Sequence, residues 1–200
     1  MVALLAGLLL AGPARSGILI EARLEGVPLR IELASPGEPR AGLVAASVDG
    51  SARLIDLERG VVRGPDGAPR PPRHASARPA AGLVGLTPLG GGAMVAGHGG
   101  AWQLLTEDGR ICAEVLASAW MLRFLEPAIR ALELLQVVEP TLAPRPRHGC
   151  SAFGFASWTA QGWPLLVSGR SDTVFATERI RFDHRPAGLV PAEAAQRRSE

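Results

Sequence analysis

Apolar and polar residues alternate across residues 18–33. Ile20, Ala22 and Leu24 stand against Glu21, Arg23 and Glu25, and Leu29, Ile31 and Leu33 stand against Arg30 and Glu32. A period of two marks strands with one face in the core and one in water. Gly26-Val27-Pro28 interrupts the alternation, as a tight connection or a bulged edge strand. A turn at residues 35–40 follows. Residues 43–48 and 52–57 then flank Asp49-Gly50, which predicts a hairpin because Asp-Gly accepts the positive φ angles of a two-residue turn. Residues 64–82 are rich in proline and glycine and carry no large apolar side chain, so they predict a long loop. Strand character resumes at residues 93–96 and 101–106, and Asp108-Gly109 predicts a second hairpin into residues 110–115.

The period then changes. Met121, Leu125, Ala128, Leu132 and Leu135 fall on one helical face, widened by Trp120 and Phe124, while Arg123, Glu126, Arg130, Glu133 and Gln136 fall on the other. Pro127 cannot donate to the carbonyl of Arg123, which predicts a kinked helix or two consecutive ones. A second proline-rich loop spans residues 140–149, and strand-like runs return at residues 151–158, 164–168 and 173–182. Strands, one helical segment and more strands describe an α+β fold. The expected form is a curved, half-barrel-like antiparallel sheet covered on its concave face by the helical segment, because the apolar stripe of the helix has no other surface to bury.

The ends divide the chain further. Residues 2–12 are apolar or small and uncharged, too short a run for the roughly 20 residues that cross a bilayer. With small residues at Ala14 and Ser16, they predict a signal peptide over residues 1–16; a buried N-terminal helix is the alternative. Residues 17–185 form the expected single domain, and residues 186–200 the expected flexible tail. The stretch 117–138 carries four charges at helical spacing, which excludes it as a membrane span.

Charge narrows the function classes. The 21 basic residues, all arginine, nearly balance 19 acidic ones and are dispersed, so no electrostatic footprint for nucleic acid stands out. Cys112 and Cys150 are the two cysteines; in an exported chain the pair predicts a disulfide closing the helix into a loop, against two buried free thiols. His74, His98, His148 and His184 lack metal-ligand spacing, so neither a metal nor a cofactor is expected.

Gly97-His98-Gly99-Gly100 is similar to the oxyanion loop of esterases, which offers an envelope serine hydrolase using Ser151 with His98 or His148 as one alternative. No GxSxG elbow accompanies it, and a glycine-rich turn between strands accounts for the same residues. The four tryptophans admit two readings: packing in the core, or lining of an apolar cavity. Trp120, Phe124, Trp158 and Trp163 are the ligand-contact candidates, with Trp163, between Gly162 and Pro164, placed at a rim.

Three segments carry a family resemblance: residues 47–60 (SVDGSARLIDLERG), 97–112 (GHGGAWQLLTEDGRIC) and 162–183 (GWPLLVSGRSDTVFATERIRFD). Their order resembles an uncharacterised family of bacterial periplasmic proteins that is similar to the LolA/LolB lipoprotein-carrier fold. The resemblance implies an open antiparallel sheet with helices plugging its concave side, and no catalytic residues. The resulting expectation is an exported periplasmic, non-enzymatic protein that binds a lipid-like or other hydrophobic ligand between sheet and helix. A structural or partner-binding module is a further alternative.

Overall fold

The computed structural model describes residues 17–35, 37–38, 40–70, 83–142, 144–145, 150, 154–169, 172–186 and 189. In chain order its first strands are β1 (Gly17–Leu24), β2 (Val27–Leu33), β3 (Leu43–Val48), β4 (Ser51–Asp56), β5 (Val61–Arg63) and β6 (Pro69–Arg70). Next come β7 (Val84–Val95), β8 (His98–Glu107) and β9 (Arg110–Ser118), the helix α1 (Ala119–Val138) and a 3-10 turn at Pro140–Leu142. The short helix α2 (Phe155–Trp158) and strands β10 (Trp163–Ser168) and β11 (Thr173–His184) follow. All eleven strands join one unclosed sheet in the order β6-β5-β4-β3-β2-β1-β11-β10-β9-β8-β7. Every neighbouring pair is antiparallel. Two meanders, β1 to β6 and β7 to β11, are therefore joined by the β1–β11 pair, leaving β6 and β7 as edges.

Turn chemistry sets the register. Glu25-Gly26, Asp49-Gly50, Ala96-Gly97 and Asp108-Gly109 all have positive φ at both residues, the geometry whose twist matches that of the strands it joins. The two Asp-Gly hairpins are present as expected. The interruption at residues 26–28 is a tight connection, with Val27 and Pro28 already in β2 at its exposed start.

Three elements depart from the sequence pattern. β7 is twelve residues long and begins well before Ala93, because Pro88 and Gly90-Gly91 disguise it. As an edge strand it accepts a residue without an N–H, and the two glycines, at φ +75° and +70°, bulge between the Pro88 and Gly92 pairs. Within the expected loop at 64–82, Pro69–Arg70 forms β6 against β5, and residues 71–82 lie outside the described residues. Phe155–Trp158 is a helical turn rather than a strand. Alternation would send residues 155 and 158 to opposite faces, whereas a spacing of three puts both rings on Phe175, at centroid distances of 6.0 and 6.2 Å.

α1 runs unbroken through Pro127; the Arg123 carbonyl left without its helical partner belongs to a solvent-exposed residue. Its inner face is sealed: Met121, Leu125, Ala128, Leu132 and Leu135 belong to the same core as Ile20, Ile31, Val44 and Ile55 of the sheet. The helix touches β10, β2, β3 and β5. Six strand spacings separate β10 from β5, about 29 Å, and a 20-residue helix is about 30 Å long, so its length matches the strip it crosses. At its far end Glu139 accepts hydrogen bonds from Arg53 of β4, at 2.8 Å from Nη2, and from Arg70 of β6, at 3.3 Å from Nη1. Both charges of the Arg53 pair are nearly buried. No described helix is long and apolar enough to cross a membrane.

At the near end Trp163 pairs with Ser118, the residue preceding α1, and Gly162 holds φ at +148° beneath it. A Cβ on Gly162 would lie 2.6 Å from the Ser118 carbonyl carbon and oxygen, both backbone atoms with little freedom to yield. Gly162→Ala is thus expected to cost about 2–4 kcal/mol through overpacking and positive-φ strain, read by urea unfolding. Of the expected tail only Pro186 and Leu189 are among the described residues. Pro186 lies against Gly17, and Leu189 is buried.

Candidate functional site

The near end of α1 gathers aromatic side chains that the core does not absorb. Trp120 and Phe124, four residues apart, share a helical face with ring centroids 4.9 Å apart. Phe182 sits on β11 beyond the residues that pair with β10. Its ring meets Phe124 edge-on at 5.7 Å and Trp120 at 6.4 Å. His98, the first residue of β8, adds a fourth ring, 6.3 Å from Phe182. Trp120 is 54% exposed and Phe182 37%, so the cluster is an apolar surface open to solvent. The Arg123 guanidinium lies over it, 4.5 Å from the Phe124 ring centroid and 5.3 Å from that of Trp120.

The His98–Phe182 contact lies beyond the residues that pair β8 with β9 and β10 with β11, and it fits a curved sheet.

The other two tryptophans belong to the interior. Trp158 and Trp163 are fully buried, with Phe155 and Phe175 between them. Trp163 Nε1 donates to Thr177 Oγ1 at 3.0 Å, and that hydroxyl donates to the Pro164 carbonyl at 2.9 Å. The rim position expected for Trp163 is therefore corrected: its indole is fully buried, held edge-on to Phe175 and bonded to Thr177. Trp120 and Phe124 come together as candidates, apart from Trp158 and Trp163. Phe182 and Arg123 were not singled out in the sequence. A phenylalanine between Arg181 and Asp183 at a strand end was the signal for the first.

Gly97 occupies a turn, while His98, Gly99 and Gly100 pair with Val95, Met94 and Ala93 in the β7–β8 ladder. The glycine-rich segment is thus a strand start. Ser151 and His148 lie outside the described residues, as does His74.

Cys112 and Cys150 are bonded, with Cα atoms 5.9 Å apart. The bond ties β9 to the segment following α1, where the next element is α2 rather than the expected strand. Glu107 approaches the same two sulfurs, the one grouping of potential metal ligands among the described residues. With both sulfurs in the disulfide, only its carboxylate remains as a ligand.

No protein-family model matches this chain, and no curated protein is significantly similar to it. The functional reading therefore rests on the aromatic end of α1 and on the disulfide.

Proposed function

We propose that the protein is an exported, non-enzymatic binding protein that holds a lipid-like or other hydrophobic ligand at the seam between α1 and the sheet, with Trp120, Phe124 and Phe182 as its contact surface. The observation that carries this reading is the solvent-facing aromatic cluster. Rings that stay wet in the free protein gain most when an apolar chain covers them, at about 25 cal/mol per Å². Phe182 of β11 meets both His98 of β8 and Trp120 of α1, which supports a curved sheet with the helix on its concave face and an opening at its near end. That arrangement accords with the resemblance to the LolA/LolB lipoprotein-carrier fold. The disulfide supports an oxidising compartment, periplasmic or extracellular, and fits a chain exported by a leader at residues 1–16.

The sealed inner face of α1 defines where the ligand sits. Core residues fill the space beneath the middle of the helix, so the ligand lies along the near-end seam and reaches Trp158 and Trp163 only if the core opens. Titration with a neutral fluorescent probe, N-phenyl-1-naphthylamine, tests the reading. The wild-type protein is expected to bind it saturably at one site, and Trp120→Ala and Phe182→Ala each to weaken binding about tenfold, the loss of roughly one ring's contact. Absence of saturable binding, or equal affinity in all three proteins, contradicts the proposal.

A further inference from the structure

We infer that the aromatic site selects amphiphiles with an anionic head group, and that Arg123 is the residue that reads the head. The inference rests on the proposal that the cluster binds an apolar chain, and it adds the charge of what that chain carries. Three observations lead to it.

Arg123 has no carboxylate partner among the described residues. The other arginines of the helix–sheet interface do: Arg53 and Arg70 both engage Glu139. The Arg123 guanidinium instead lies over two rings of the cluster. A cation–π contact holds the charge beside the rings, and the guanidinium N–H groups can still donate to a bidentate acceptor. Glu126, one turn further along the exposed side, forms no ion pair with it.

The charge is also local. α1 has no acidic residue in its first turn, and its nearest carboxylate, Glu126, lies beyond that turn on the far side of Arg123 from Trp120 in the chain. Finally, the geometry separates the two chemistries a ligand needs. Trp120, Phe124 and Phe182 meet in tilted and edge-to-face contacts and offer an apolar surface, while the guanidinium lies over the Phe124 and Trp120 rings. A chain lying on the rings places its head at Arg123. A carboxylate, phosphate or sulfate head meets a fixed donor fork there, whereas an alcohol or sugar head meets an unneutralised charge.

Displacement of the bound neutral probe by dodecanoate and by dodecanol, at about pH 8 where a carboxylic acid is ionised, separates head from chain. In the wild-type full chain dodecanoate is expected to displace the probe at a three- to fivefold lower concentration than dodecanol, about the size of one exposed ion pair. Arg123→Gln should abolish that preference while still binding the probe and dodecanol. Arg130→Gln, an exposed charge two turns away on the same helix, should retain it. Equal displacement by the two compounds in the wild type overturns the inference, as does a preference that survives Arg123→Gln or disappears equally in Arg130→Gln. If the probe itself fails to bind the wild type, the site reading fails first and the inference with it. Probe binding without head-group preference removes the inference alone.

Discussion

Trp163→Ala is expected to destabilise the protein by about 3–5 kcal/mol, the upper range for truncating a buried aromatic. The indole is fully buried and packs edge-on to Phe175 at 6.1 Å. It also occupies the register position opposite Ser118, where the sheet hands over to α1. Its removal leaves a cavity bounded by strands whose registers are fixed on both sides, and such a site collapses poorly. Trp163→Phe keeps most of the volume but removes the donor to Thr177, so it should cost less, about 1–2 kcal/mol. Urea unfolding followed by circular dichroism measures both without relying on the fluorescence of the residue being changed. A loss below about 1 kcal/mol for the alanine variant would show that this junction does not hold the helix to the sheet.

Reduction of the disulfide is expected to remove about 3–4 kcal/mol, from the loop entropy of two cysteines 38 positions apart. The closed loop contains the whole of α1. Without the bond, the unfolded chain regains the freedom of that segment, and the folded protein keeps the helix only through its core face and the Glu139 contacts. The double variant Cys112→Ala, Cys150→Ala should show the same loss and become insensitive to reductant. Denaturant midpoints with and without dithiothreitol give the value. Unchanged midpoints would mean that the bond adds nothing to stability and that the core face and the Glu139 contacts alone hold the helix.

What the sequence disclosed follows from which forces act locally. Period-two alternation and Asp-Gly turns are properties of short windows, so β1 to β4 and the β8–β9 hairpin were legible. The amphipathic stripe of α1 was legible for the same reason. Its continuity through Pro127 was not, because that depends on the packed face overriding one missing hydrogen bond. β7 was hidden by Pro88 and three glycines, residues that argue against a strand unless it lies at an edge, and edge position is a property of the whole sheet. Phe155 and Trp158 turned helical because Phe175, seventeen or more residues on, rewards that spacing.

The candidate site divided along the same line. The type and helical spacing of Trp120 and Phe124 placed them together, yet nothing local distinguishes an exposed indole from a buried one. Trp120 stays wet because it precedes the stripe by one position, and Trp163 is dry because it packs on Phe175 and bonds to Thr177, both on β11. Phe182 joins Trp120 only through the placing of β11 within the sheet, between β1 and β10, a long-range feature that no window contains.

The four indole N–H groups allow a direct test of where a ligand sits. In a two-dimensional ¹H–¹⁵N spectrum of the uniformly labelled protein, titration with dodecanoate should shift the Trp120 indole resonance progressively and saturably, while those of Trp158 and Trp163 stay in place. Shifts of Trp158 and Trp163 with Trp120 unmoved, or no shift in any of the four at saturating ligand, would contradict a binding surface at the near end of α1.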